Sequence, residues 1–410
     1  RLRADGGHCH DGDGAAGNNA GDRVHLFLRS LVMTIGLAAA LASSAGAQQA
    51  PPTPAVARSP AGQSPGDFIA GYAAEHGFSG TILVQKGGRV AFERSFGLAD
   101  REHNVPNADH TVYWVASITK LFTSTLILQL AEQRRLDLDR TVGTYLPDYR
   151  GEAATRVTVR QLLNHTSGLR NIDVIPNIED ERQAIRAQIE DAVRHDRLPL
   201  YQTPYSSDDL LRKFCSDPLV NAPGKVFDYN NADYIILGKI IEQAYGKPFG
   251  VVLGERILLP LQMRHSGMMR HQDVVPNLAN AYSLGADRRT LQHDMPVYPE
   301  NWYAAGALYS SVGDLLRFSN ALFDGRLIGR PMLDQMTAAG LDRYGLGLWV
   351  YDTRAGGTTH RVAKRPGHIM GTQSQLYRFL DSDLTVIILS NAGTTDLDAF
   401  VAAIGKRMLE

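Results

Sequence analysis

The chain has 410 residues, 44% hydrophobic and 21% charged, the balance of an ordinary globular protein rather than a disordered or membrane-embedded one. Its 42 basic and 43 acidic side chains leave a formal net charge of −1, so no global field draws it to nucleic acid or to an anionic membrane surface. The length exceeds one average domain but suits a single α/β unit that carries an inserted helical part.

Residues 1–47 read as a targeting region with an upstream extension. Arg23 and Arg29 precede an apolar run, Leu31 to Leu41, too short to span a bilayer comfortably, and Ala45-Gly46-Ala47 supplies a small-residue cleavage site. Cleavage before Gln48 and export, to a periplasm or out of the cell, are predicted; the alternative is an uncleaved anchor. Residue 1 is not Met, so the Gly/Asp-rich stretch before Val24 is expected to lie upstream of the true start, and His8-Cys9-His10 within it is not read as a metal site. After cleavage only Cys215 remains, so no intramolecular disulfide is expected, and this cysteine reads as a small buried apolar residue. Residues 48–66, rich in Ala, Pro, Ser and Gln, read as a linker to a domain at 67–410.

Within that domain, Thr81 to Gln85 and Val90 to Glu93 flank Gly87-Gly88, the pattern of a hairpin. From about Val112 to Leu322 helical spacings dominate, including Tyr234 to Tyr245, and strands are expected to return only afterwards. Tyr344 to Tyr351, Gln373 to Leu380 and Leu384 to Leu389 are strand-like, the last two joined across Asp381-Ser382-Asp383, and Leu397 to Leu409 is helical. Strands at both ends of the domain must share one sheet. The predicted fold class is therefore α/β of the α+β type: an antiparallel sheet from both termini, flanked by helices, with a mostly helical subdomain, about 112–322, inserted. The cleft between the two parts is the natural site. The charged stretch 171–204 reads either as a solvated surface helix or as a flap over that cleft.

Ser117-Ile118-Thr119-Lys120 opens a helical stretch, and residues three apart share a helix face, so the lysine stands beside the serine hydroxyl. The first helical turn adds unpaired N–H groups that favour an anion there. For Lys120 to take the serine's proton it must be neutral, which needs desolvation or a nearby cation. The bland alternative is a capping serine followed by a surface lysine. Pro223 to Asn231 forms a loop at the entrance of the next helix, where the Tyr229 phenol is able to relay a proton and the Asn231 amide to meet Lys120 and a substrate carbonyl; here the alternative is that Asn230 or Asn231 only caps the helix. His165, in Asn164-His165-Thr166-Ser167-Gly168, reads as a structural residue bonding backbone at a turn rather than as a general base. No Gly-x-Ser-x-Gly elbow, Walker loop, His-Glu-x-x-His or dinucleotide fingerprint occurs, and no cofactor or metal is implied.

Taken with Leu162 to Leu169, these segments closely resemble the class C β-lactamase superfamily, which includes penicillin-binding D-alanyl-D-alanine carboxypeptidases and related esterases. The resemblance runs from about Phe78 to Asn391 and takes in Ile257 to Met263 and Ala305 to Ser311. It implies an acyl-enzyme on Ser117, with Lys120 and Tyr229 in proton transfer and Asn231 binding substrate. The family's third element, a strand bearing Lys-Thr-Gly or His-x-Gly, matches Gly367-His368-Ile369-Met370-Gly371 here, with Met370 where a glycine is usual. His368 is then expected beside Tyr229. Either Gly371 takes the glycine's place, or Met370 narrows the cleft and disfavours β-lactam hydrolysis; the second is preferred. By the same resemblance the oxyanion hole is the N–H groups of Ser117 and Gly371. The resulting expectation is an exported serine hydrolase for an ester, a D-amino-acid peptide or a lactam, with carboxypeptidase or esterase action ahead of efficient β-lactamase action. Its partner is a small-molecule or peptide acyl substrate, with peptidoglycan as a source. The alternative, motivated by Met370, is a non-catalytic protein that holds such a fragment in the same cleft.

Overall fold

The computed structural model describes residues 64–172, 200–285, 287 and 289–410. The expected leader, most of the expected linker, and residues 173–199 of the charged stretch lie outside the described residues.

Helix α1 (Pro65–Glu75) opens the domain with Pro65 at its first turn and Ser64 as its cap, the serine oxygen accepting from Asp67 N at 3.1 Å. The helix starts two residues before Asp67, near which the domain is expected to begin. Strands β1 (Gly80–Lys86) and β2 (Arg89–Phe96) follow as a hairpin, and Gly87 and Gly88 turn it at φ +57° and +73°, values a side chain would resist. Helix α2 (Thr119–Glu132) is buried from Thr119 to Leu130, so it forms the domain's central rod rather than a surface helix. Helix α3 (Asn231–Tyr245) is capped by Asn230, whose Oδ1 accepts from Ala232 N at 3.0 Å, and stops at Gly246, φ +63°. Helix α4 (Val312–Phe323) is capped by Ser311. The chain ends with β3 (Trp349–Ala355), β4 (Thr358–Ile369), β5 (Thr372–Phe379), β6 (Leu384–Ser390) and helix α5 (Leu397–Leu409).

The six-stranded sheet has the order β3-β4-β5-β6-β1-β2, antiparallel throughout, so strands from the two ends of the domain meet where β1 pairs with β6 from Gly80↔Ser390 to Lys86↔Leu384. Alternation along the strands feeds two cores. Ile82, Val84, Val386 and Ile388 pack with Ile69 of α1 and Phe400 and Ile404 of α5. Leu83, Ile387 and Leu389 face the opposite way, into a larger core with Leu121, Phe122 and Leu126 of α2, Ile235 of α3 and Phe318 of α4. Both faces are covered, which is why β1 and β6 read as apolar runs.

Two expectations need correction. Strands do not wait until after residue 322: Tyr113–Trp114, Leu308–Ser310 and Gly267–Met268 form a small sheet, and Tyr282–Leu284 pairs with Leu291–His293. Segments of two or three residues show no period of two and exist only through their distant partners. The strand expected over Tyr344 to Tyr351 begins only at Trp349, because Gly347 sits at φ +103° just before it.

Candidate active site

Three stretches converge at Ser117: the short helical turn Ala116–Ile118 leading into α2, the loop before α3, and β4. Ala116 holds φ +48°, an uncommon conformation for a residue with a side chain, immediately before the serine. The turn delivers the half-buried Ser117 to the open side while Lys120, one turn on, is fully buried.

Lys120 Nζ donates to Ser117 Oγ at 3.2 Å, to Asn231 Oδ1 at 2.5 Å and to Ala305 O at 2.9 Å, and lies 4.8 Å from the centre of the Tyr229 ring. The Tyr229 hydroxyl donates to Ser117 Oγ at 2.8 Å. The serine oxygen therefore sits between an amine and a phenol, both supplied by residues singled out in the sequence. Asn231 is buried with its amide oxygen on the lysine.

The fourth side chain was not anticipated. Arg365, on β4 and 1% exposed, donates from Nε to Ser117 O at 2.7 Å, from Nη1 to Tyr344 Oη at 2.6 Å, and from Nη2 to the Tyr229 oxygen. Burial alone pushes the Tyr229 phenol up, yet Arg365 and then Lys120 outweigh it and hold the phenol below its ordinary value. The phenolate is the form that two cations favour.

The strand wall is shifted by three residues from the expected register. Arg365-Pro366-Gly367 supplies the cation-x-glycine pattern, and a Cβ on Gly367 would lie 2.4 Å from Val115 O and 3.0 Å from Ser117 N. Gly367 is thus the residue whose missing side chain lets β4 approach the serine. His368, expected beside Tyr229, is instead exposed, with Nε2 on Met370 O at 2.8 Å; neighbours on a strand point to opposite faces, and the inward position went to Arg365. Gly371, expected in the oxyanion hole, donates its N–H to both oxygens of Asp294, at 3.0 and 2.9 Å, and packs against Tyr282 O. Met370 forms the β4–β5 turn at φ +50° and packs on a cluster of Trp114, Ala116, Met269, Trp302 and Ile369. The cluster contains Ala116, the residue before the serine, so Met370 packs near the Ser117 turn but not at the glycine position. A cation two residues before a glycine is present in the sequence at Arg365-Pro366-Gly367, whereas at 368–370 Met370 stands in the glycine's place.

His165 does not touch Ser117. It is fully buried beneath the Tyr229 ring, with Nδ1 2.8 Å from Asp233 Oδ2, and the expected structural role extends from backbone to a carboxyl group. Among the described residues no group of three or more His, Cys, Asp or Glu side chains is arranged to hold a metal ion.

The Beta-lactamase family model matches residues 66–407. A putative penicillin-binding protein, PbpX, of Bacillus subtilis (strain 168) is 29% identical over 324 residues, which span 78% of this chain and 72% of that protein. Among solved structures, a D-stereospecific amidohydrolase from Streptomyces sp. superposes with a TM-score of 0.65 at 27% identity, over 81% of this chain and 95% of its own. EstCE1, a hydrolase with promiscuous acyltransferase activity, gives a TM-score of 0.69 over 84% of this chain and 97% of its own, at 21% identity, and shows the shared fold. With sequence, fold and the convergence on Ser117 in agreement, the chain belongs to the beta-lactamase family of serine hydrolases.

Proposed function

We propose that the protein is an exported serine acyl hydrolase that cleaves esters or D-amino-acid amides and peptides through an acyl-Ser117 intermediate. The observation that carries this reading is the Ser117 oxygen held between Lys120 Nζ and the Tyr229 hydroxyl, with Arg365 on the far side of that phenol.

The phenol held below its ordinary value favours Tyr229 as the base. Lys120 Nζ donates to Ser117 Oγ, Asn231 Oδ1 and Ala305 O, which suits it to orient the serine and stabilise the charge formed there. Once the Tyr229 phenol has released its proton to solvent, as Arg365 and Lys120 favour, its 2.8 Å bond to Ser117 Oγ reverses and the phenolate takes the serine proton while Oγ bonds to the substrate carbonyl carbon. The carbonyl oxygen becomes an anion beside the Ser117 N–H and the β4 backbone that Gly367 brings close. As the intermediate collapses, the C–N or C–O bond breaks and the leaving atom receives the proton from the Tyr229 hydroxyl. Water then gives a proton to Tyr229 and its oxygen to the acyl carbon, and Ser117 departs with the proton returned. Arg365 and Lys120 keep the phenol acidic enough to cycle through both halves.

The 27% identical Streptomyces protein, described as a D-stereospecific amidohydrolase, supports an amide of a D-amino acid as a substrate. A peptidoglycan fragment fits the same description. The approach of Gly367 to Ser117 supports the catalytic reading over the non-catalytic alternative, whose motive is Met370 in the glycine's place.

The test is intact-mass analysis after a fluorophosphonate or penicillin probe, followed by turnover of short-chain esters, D-alanyl peptides, D-amino-acid amides and a chromogenic cephalosporin. One adduct that vanishes in Ser117→Ala is expected, with ester or amide turnover exceeding that of the cephalosporin; an adduct that persists in the variant sinks the assignment. For export, N-terminal sequencing of the mature protein should begin at Gln48, and a retained leader would overturn cleavage.

A further inference from the structure

Behind Tyr229 lies a buried pair that the reaction above leaves unused. His165 and Asp233 have no exposed surface, and Nδ1 stands 2.8 Å from Oδ2. The same Nδ1 receives the backbone N–H of Asn230 at 3.3 Å. The Asn230 N–H aimed at Nδ1 favours the tautomer in which that nitrogen is bare; its single lone pair is then taken mainly by the Asp233 O–H at 2.8 Å and only weakly shared with the Asn230 N–H at 3.3 Å, with the ring's proton on Nε2. Among the described residues His165 Nε2 finds no hydrogen-bond partner.

The surroundings agree with that placement. Burial, then Lys120 and Arg365, push the His165 ring toward its neutral form. Burial pushes the Asp233 carboxyl up; Asp228 adds to this, whereas Ser167 and Lys120 oppose it. A carboxylate here would offset one of the two cations that act on Tyr229, whereas a neutral pair leaves both fields undiminished.

The pair also grips the loop that carries the phenol. The His165 ring packs against Tyr229 with centroids 4.5 Å apart, its carbonyl receives Asp228 N at 2.9 Å, and its Nδ1 holds Asn230 N. Asp233 stands in the first turn of α3, two residues after Asn231. Both ends of the loop are therefore fastened to one residue, Asp228 to the His165 carbonyl and Asn230 to its ring.

We propose that Asp233 and His165 form a neutral hydrogen-bonded pair, the Asp233 carboxylic acid donating to His165 Nδ1, and that this pair positions Tyr229 and Asn231 against Ser117 and Lys120. They are positioning residues, and the role rests on the acyl-Ser117 reading given above.

Two measurements test it on the full chain. Nitrogen-15 NMR of the resting wild-type protein reads the His165 tautomer without any substrate, its signals identified by their loss in His165→Gln. A bare Nδ1 and a protonated Nε2 are expected; an Nδ1–H tautomer or an imidazolium overturns the pair as drawn. The second is the rate of fluorophosphonate labelling at Ser117. Asp233→Ala should slow it about tenfold or more, the size of one lost buried hydrogen bond, and Asp233→Asn, which donates without charge, should restore most of the rate. An Asn variant as slow as the Ala variant overturns the neutral pair. If Asp233→Ala does not fold, the wild-type tautomer and the Asn variant's rate against wild type still decide. A wild-type protein that takes no label overturns the hydrolase reading and the positioning role with it, while the tautomer still reports where the proton sits.

Discussion

The two walls of the Ser117 cleft were built by different rules. On the helical wall Ser117 and Lys120 are three residues apart, and the contact follows from the pitch of a helix whatever the rest of the chain does. On the strand wall the residues that face the serine, Arg365 and Gly367, depend on how far β4 slides along its neighbours before it meets Ser117. A helix carries its own ruler, whereas a strand borrows its register from the sheet.

The sharpest way to break this comparison is at the nucleophile. Ser117→Ala should lower ester or amide turnover by roughly a thousandfold or more with the thermal midpoint nearly unchanged, as for loss of a nucleophile; turnover that survives would remove the helical wall from the chemistry. Arg365→Gln is expected next, with kcat down by about ten- to a hundredfold as charge-assisted hydrogen bonds disappear. It should also move the pH profile. Arg365 is the chief influence lowering the Tyr229 phenol, so its removal raises that phenol's pKa, and the rising limb of kcat against pH should shift to higher pH. A limb that stays in place would mean that Tyr229 is not the base.

A smaller effect is expected at Gly367→Ala. Its Cβ would come within 2.4 Å of the Val115 carbonyl, a backbone atom that cannot swing away, so β4 must retreat from Ser117 and kcat should fall about tenfold at near-normal KM. An unchanged kcat would return the glycine's role to position 370 or 371. The smallest effect belongs to His368→Ala, where the side chain is exposed and bonds only its own turn, so kcat/KM should change less than about twofold. A loss as large as that of Arg365→Gln would restore the register first expected for the strand.

Much of the fold could be read from local pattern. The glycine hairpin at 87–88, helix α3, the β5–β6 pair and helix α5 each follow from spacings within a dozen residues. The sheet joining both ends of the domain followed from strands that had no other partner. The short strands around 267–310 did not follow, because they hold together only through residues far away in the chain. Strand β4 escaped for most of its length for a different reason: Thr, His, Arg and Lys crowd its first half and blur the alternation. At the site, Tyr229 and Asn231 were legible beside Ser117 and Lys120, since their loop-before-helix spacing is local. Arg365 was not, because a buried arginine is recognisable only once Tyr229, Tyr344 and the Ser117 carbonyl surround it.

By itself, then, the sequence determined the helical face that joins Ser117 to Lys120 and the loop that offers Tyr229 and Asn231, because each depends on spacing along a short stretch of chain, and the antiparallel sheet from both ends, because strands at the two ends had no other partner. Only the tertiary structure decided that Arg365 and Gly367, rather than His368 and Met370, line the opposite wall, and that His165 closes on Asp233 beneath the phenol. Those contacts bring together residues from distant elements, and their register is fixed by what packs against them.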